Sequence, residues 1–188
     1  MLDVRPTDIP DVRVVATRWF EDGRGCFSET YNRARWREAG IDADFVQDNQ
    51  VLSQRAGILR GLHFQRPPAA QSKLVRVTRG AILDVAVDIR VGSPWFGRWV
   101  ATELSAANRL QLFIPRGFAH GYLTLQPDTE VFYKVDAHYA PEHEAGIAWD
   151  DPDVAIAWPL PPAGPVMAER DRLLPPLAAL PSCFHYGD

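Results

Sequence analysis

Cysteine is nearly absent from this chain of 188 residues: there are two, Cys26 and Cys183, far apart in sequence. They match no zinc spacing and are too few for the disulfide framework of a small secreted protein. A reducing compartment, the cytoplasm, is the expectation. Long apolar runs are missing too. Nowhere do about 18 consecutive apolar residues occur, the length that a membrane helix needs, and the opening Met1-Leu2-Asp3-Val4-Arg5-Pro6 has no signal-peptide core. Positive charge is not in excess either. The formal net charge is -4, with both signs interspersed, so no footprint for a nucleic-acid backbone stands out and any anionic ligand must be held by a few placed cations. Neither nucleic acid nor membrane is an expected partner.

What the chain does have is a 46% hydrophobic fraction, normal for one domain with a sizeable core. Helix signals are scarce. From Gln47 to Trp158 short β-like runs alternate with turn signals, the pattern of a sandwich or barrel. Val75 and Val77 share a face of the run from Lys73 to Val77. Thr78-Arg79-Gly80 then turns the chain into Ala81 to Ile89, where Val85, Val87 and Ile89 alternate with Asp84 and Asp88. The two runs read as a β-hairpin. Further runs at Gln111 to Ile114, Gly121 to Leu125 and Glu130 to Val135 would complete a barrel. A short peripheral helix is expected at Ala34 to Ala39, with Asn32 as cap, Trp36 as apolar anchor and Gly40 as stop. The proline-rich segment 159–188 cannot form sheet ladders and reads as a wrapping tail, with a helical turn at Met167 to Arg172.

Pro115-Arg116-Gly117-Phe118-Ala119-His120-Gly121 follows a strand and resembles the second motif of the cupin superfamily, a mainly β fold of the jelly-roll (double-stranded β-helix) type. That resemblance implies a barrel with His120 pointing inward. A metal-binding cupin would add a His-x-His pair and a Glu, since a metal wants several convergent ligands. Here Phe64 and Gln65 follow His63 instead, so no catalytic metal is expected. Taken alone, His63 in a strand reads as a core histidine.

Several segments taken together say more. Asp22 to Glu29, Phe45 to Asn49, Gly57 to Gln65, Gln71 to Val75, Ile114 to Gly121, Tyr133-Lys134 and Ile147 to Pro152 resemble, in order and spacing, the dTDP-4-dehydrorhamnose 3,5-epimerase family, over about Val12 to Asp171. The resemblance implies the substrate dTDP-4-keto-6-deoxyglucose, in which a C4 ketone acidifies the hydrogens on C3 and C5. Such chemistry needs no cofactor. It needs a base on one face, an acid on the other and a cation or donor near O4. Family roles make His63 the base, Tyr133 the acid, Lys73 the group near the oxyanion, and Asp171 the carboxylate that orients His63. By itself Asp171 also reads as a solvated helix-cap carboxylate.

The same resemblance assigns the diphosphate to Arg60 and Arg170, the latter standing where the family has Lys. It assigns nucleotide and sugar contacts to Arg24, Glu29, Gln47, Asp48, Asn49, Lys73, His120 and Glu144. Tyr139 would stack on the thymine, and Phe27 would be a further wall. For the charged members the alternative is a solvated surface, and for the two aromatics core packing. The chain departs from the family at Val51, where a serine is usual, and at His138, where a tyrosine is frequent. A relative that inverts only C3, a sugar-nucleotide-binding cupin without catalysis, and a metal-dependent cupin are the alternatives. Relatives form homodimers in which N-terminal strands join the neighbour's sheet and the Arg24 to Glu29 segment crosses the interface, so a homodimer is expected.

Overall fold

A computed structural model describes residues 2–187 of the chain. The strands are β1 (Asp3–Pro6), β2 (Arg13–Ala16), β3 (Phe20–Asp22), β4 (Gly25–Phe27), β5 (Gln47–Ser53), β6 (Leu59–Gln65) and β7 (Lys73–Arg79). They continue with β8 (Ala81–Asp88), β9 (Trp99–Ser105), β10 (Leu110–Ile114), β11 (Phe118–Thr124), β12 (Thr129–Val135) and β13 (Glu144–Gly146). The α-helices are short: α1 (Arg33–Glu38) and α2 (Glu169–Arg172). One sheet runs in the order β1-β2-β10-β7-β12-β5, a second in the order β13-β6-β11-β8-β9, and β3 and β4 form a separate hairpin. All these pairings are antiparallel. No helix among the described residues is long and apolar enough to cross a membrane.

The expected hairpin across Thr78-Arg79-Gly80 is not formed. β7 pairs with β10 and β12, whereas β8 pairs with β11 and β9, so these consecutive strands lie in opposite sheets. Gly80 makes the corner between the sheets. Its φ is +75°, and a Cβ there would stand 2.3 Å from the hydroxyl oxygen of Thr129. A tight hairpin and a sheet-to-sheet corner both call for a residue tolerant of positive φ, so the turn signal is the same while the topology differs.

Side chains from both sheets meet in the interior, where Val75, Val77, Ile82, Ala86, Leu112, Ile114, Tyr122 and Val131 form one buried cluster. Each fully buried aliphatic contributes about 1.5–3 kcal/mol of transfer free energy. The outer faces are covered as well. Trp36 of α1 packs with Val15, Leu74 and Phe113 on the first sheet, and Asn32 caps that helix by accepting from the Arg35 amide at 3.3 Å. On the second sheet Leu62, Phe64, Val85, Val87 and Ala119 lie under Ile147, Val154, Leu177 and Phe184. β8 is therefore buried on both sides: its valines face the C-terminal segment, while Ile82 and Ala86, and with them Asp84, face the barrel interior.

A buried carboxylate ties the C-terminal segment down. Asp151 accepts from the Leu177 amide at 2.6 Å with one oxygen and from the Asp153 and Val154 amides with the other. Asp151→Ala leaves those buried donors without partners, which should cost about 2 kcal/mol or more. A drop in the thermal midpoint of that size, absent from the exposed Asp153→Ala control, is the expected result of a melting experiment.

Candidate active site

On β6, Leu62 and Phe64 belong to the outer cluster, so by the two-residue period of a strand His63 points into the barrel. Its cross-strand neighbour on β11 is His120, which the turn at Pro115 to Gly117 delivers to the interior. Between them the strands approach unusually closely. A Cβ on Gly61, whose φ is +124°, would lie 2.5 Å from the Cα of Gly121 and 2.8 Å from the His120 carbonyl oxygen.

Asp171 comes from α2, 108 positions further along, and is buried. Its Oδ1 stands 2.8 Å from His63 Nε2, and its Oδ2 accepts a longer bond of 3.4 Å from the Gly61 amide. Asp171 is therefore not a solvated cap. By accepting a hydrogen bond from Nε2–H, the carboxylate leaves Nδ1 of a neutral His63 unprotonated. Burial lowers the pKa of His63, and Lys73 adds to that, while Asp171 and Glu144 oppose it.

The other wall comes from the first sheet. Tyr133 of β12 and Lys73 of β7 line the same cavity of about 410 Å³ as His63, His120, Arg60 and Asp171. Lys73 Nζ donates to the His63 carbonyl oxygen at 3.3 Å, a bond from one sheet to the other. Burial brings the Lys73 ammonium down to about 8, against the pull of Asp84 and Glu144. Burial also raises the Tyr133 phenol above its ordinary value, partly offset by Arg60. The cavity thus opposes a neutral imidazole to a protonated phenol, with an amine that is charged at neutral pH beside them. Among the described residues no three His, Cys, Asp or Glu side chains are grouped as metal ligands.

At the mouth, Arg170 is largely exposed and lies 3.6 Å from both Glu144 and Asp171. Glu144 accepts from the Tyr139 hydroxyl at 2.7 Å, the Tyr139 amide donates to Gln47 Oε1 at 3.0 Å, and the Gln47 amide donates to Asn49 at 2.9 Å. These residues form one connected polar chain that reaches the cavity through Arg170. Asp48 is not part of it. The strand period turns Asp48 to the other face of β5, where Lys134 binds it at 2.7 Å. Nor does this chain bring Arg24, Phe27 and Glu29 to its own cavity: Arg24 pairs with Asp22, Phe27 is 68% exposed, and Glu29 pairs with Arg35. Sequence reasoning did not assign Asp84, Tyr122 or Met167 to the site, and it noted Val51 only as a departure from the family. Tyr122, Val51 and Met167 line the cavity, and Asp84 sits behind His120 at 2.7 Å. Its position in an alternating strand was the available signal, but alternation cannot tell a solvent face from a polar interior.

Fold and site together define the class, a cupin-type β-barrel isomerase. A family model described as dTDP-4-dehydrorhamnose 3,5-epimerase matches residues 6–179, and the chain belongs to that family. It is 50% identical over 178 residues to the dTDP-4-dehydrorhamnose 3,5-epimerase of Sinorhizobium fredii, an alignment that covers 95% of this chain and 91% of the relative. Among solved structures it is similar to the epimerase of Legionella pneumophila in complex with dTDP-4-keto-L-rhamnose, with a TM-score of 0.95, 38% identity and 100% of each chain covered. It is also similar to the Bacillus anthracis enzyme with TDP and PPi bound, with a TM-score of 0.90, 45% identity, and 94% of this chain and 99% of the other covered.

Proposed function

We propose that this chain converts dTDP-4-dehydro-6-deoxy-D-glucose to dTDP-4-dehydro-L-rhamnose by inverting C3 and C5. The observation that carries the reading is the His63–Asp171 pair at 2.8 Å, in a cavity that Tyr133 lines from the opposite sheet. His63 takes the proton from the carbon next to the ketone, and the electron pair moves into the carbonyl to give an enolate. Lys73 stabilises the oxyanion, and Tyr133 returns a proton on the other face. Arg60 and Arg170 hold the diphosphate with paired guanidinium donors, while the chain of Gln47, Asn49, Tyr139 and Glu144 supports the nucleotide side. Incubation of the keto sugar nucleotide with the protein in deuterated water tests the reaction. Deuterium at both C3 and C5, read by NMR, is expected. Label at C3 alone would make the enzyme a 3-epimerase, and label at neither carbon would sink the reading.

Two further expectations follow from the site. His63 acts in its neutral form, and burial holds its pKa below 6.5, so kcat/KM should climb with pH through an acid limb below that value. The rate should fall again near pH 8, where Lys73 loses its proton. A bell-shaped profile from initial rates is the check. Asp171→Asn replaces the carboxylate with a neutral amide; with its oxygen on the Gly61 amide, its NH2 group faces Nε2 and favours the wrong tautomer of His63. Exchange at both carbons should slow about tenfold or more with little change in KM; unchanged exchange would leave His63 as the base and remove Asp171 from the mechanism.

We also propose a homodimer. The β3–β4 hairpin presents Phe20 and Phe27 to solvent together with Arg24, which suits a segment that reaches a second copy's nucleotide site. Sedimentation velocity on the purified chain distinguishes dimer from monomer. Both thiols are free, in keeping with work in a reducing cytoplasm.

A further inference from the structure

Asp84 is a buried carboxylate that the roles above leave unused. It stands on the interior face of β8, fully buried, with Oδ1 at 2.7 Å from His120 Nε2. Its other oxygen, Oδ2, is shielded from solvent and has no hydrogen-bond partner in the protein. A carboxylate so placed is costly unless a cation compensates it. His120 lies opposite His63 on the adjacent strand, and Lys73 reaches the His63 carbonyl oxygen from the other sheet. Two carboxylate–imidazole pairs therefore stand side by side in one wall: His63 with Asp171, and His120 with Asp84. The first serves the base, and the second has an acceptor to spare.

We propose that Asp84 is a positioning residue for the reaction: it fixes the ring of His120 in the cavity wall and sustains the charge of Lys73 beside the oxygen that becomes the enolate. The inference rests on the epimerase reading. Asp84 is the largest attractive charge acting on the Lys73 ammonium, with Glu144 of β13 next. The other titratable or charged groups lining the cavity are His63 and Arg60 from β6, His120 and Tyr122 from β11, Tyr133 from β12, and Arg170 and Asp171 from α2. Asp171 is the one carboxylate among them, and His63 already engages it. A purely structural Asp84 would hold His120 and nothing more; a positioning Asp84 also sets the pH at which Lys73 gives up its proton.

The chain has two lysines, Lys73 and Lys134, so labelling with Nζ-15N-lysine yields two side-chain signals, and Lys134→Arg assigns them. In the substrate-free wild type Lys73 should titrate at about 8. In Asp84→Asn it should titrate at lower pH, and the alkaline limb of kcat/KM should move with it. At pH 8 kcat should fall about tenfold while KM changes by less than about threefold, because a charge felt in the transition state is lost. Recovery of the rate at lower pH, where Lys73 is again protonated, completes the signature. A Lys73 titration and an alkaline limb both unmoved in the variant overturn the proposal, and the deuterium test on the wild type reports separately on the epimerase reading. Should the variant not fold, the Asp84 carboxyl 13C signal of the wild type replaces it. That signal should inflect with the Lys73 titration, and a flat one overturns the proposal.

Discussion

His63→Ala is expected to stop deuterium uptake at both C3 and C5, with kcat reduced by about 10³ or more, toward the upper end of what a positioned base contributes. Both carbons are affected because His63 is the more accessible of the two cavity imidazoles. His120 pairs its Nε2 with Asp84 in the same way, but its side chain is 8% exposed against 24% for His63, so it is the less able to reach a substrate carbon. The loss should be chemical rather than structural. Asp171 keeps the Gly61 amide as a donor, and Arg60 and Arg170, the arginines proposed to hold the diphosphate, are untouched, so the affinity for dTDP by calorimetry should stay close to that of the wild type. Removal of the ring also leaves a space of its own shape. Added imidazole should therefore restore part of the exchange rate in proportion to its unprotonated fraction. Wild-type rates in the alanine variant would assign the base elsewhere.

Gly61→Ala should be severely damaging to the barrel. A methyl at that position would meet the Gly121 Cα at 2.5 Å and the His120 carbonyl oxygen at 2.8 Å, both backbone atoms that cannot swing aside, and φ is +124°. Overpacking of this kind costs about 1–3 kcal/mol and backbone strain adds a comparable amount, against a total stability of roughly 5–15 kcal/mol. The urea midpoint should fall steeply, with β6 pushed away from β11 and His63 displaced from Asp171. Gly23 is the matched control, since a Cβ there meets nothing within 4 Å; Gly23→Ala should leave the midpoint within the usual range of surface changes, about 0.5 kcal/mol. Equal midpoints for the two variants would contradict the close approach of the strands.

Much of this was legible in the sequence because period-two alternation survives wherever one face of a strand is packed. The runs at Lys73, Gln111 and Glu130 are strands of the first sheet, and the helix near Trp36 has the expected cap and stop. The turn at Gly80 was legible as a turn, but pairing partners depend on contacts with strands far along the chain, and there the local reading failed. Asp84 failed for another reason. Its strand is buried on both sides, so the valines that mark the core in an exposed sheet here mark the face under the C-terminal segment. The resemblance placed Asp48 with Gln47 and Asn49, but adjacent residues in a strand point apart, and here Lys134 holds Asp48 on the other face. For Asp171, only the resemblance joined two residues 108 positions apart; nothing local in Glu169-Arg170-Asp171 announces a buried acceptor.

That separation has a consequence for how the protein comes into service. His63 stands on β6 and Asp171 on α2, within the segment that also covers the apolar face of the second sheet. The strands of both sheets precede α2 in the chain, so the barrel is synthesised before the carboxylate that His63 contacts. Docking of this segment hides the apolar sheet and gives His63 its carboxylate partner in one event, so the proposed catalytic pair exists only in molecules whose outer sheet is already covered.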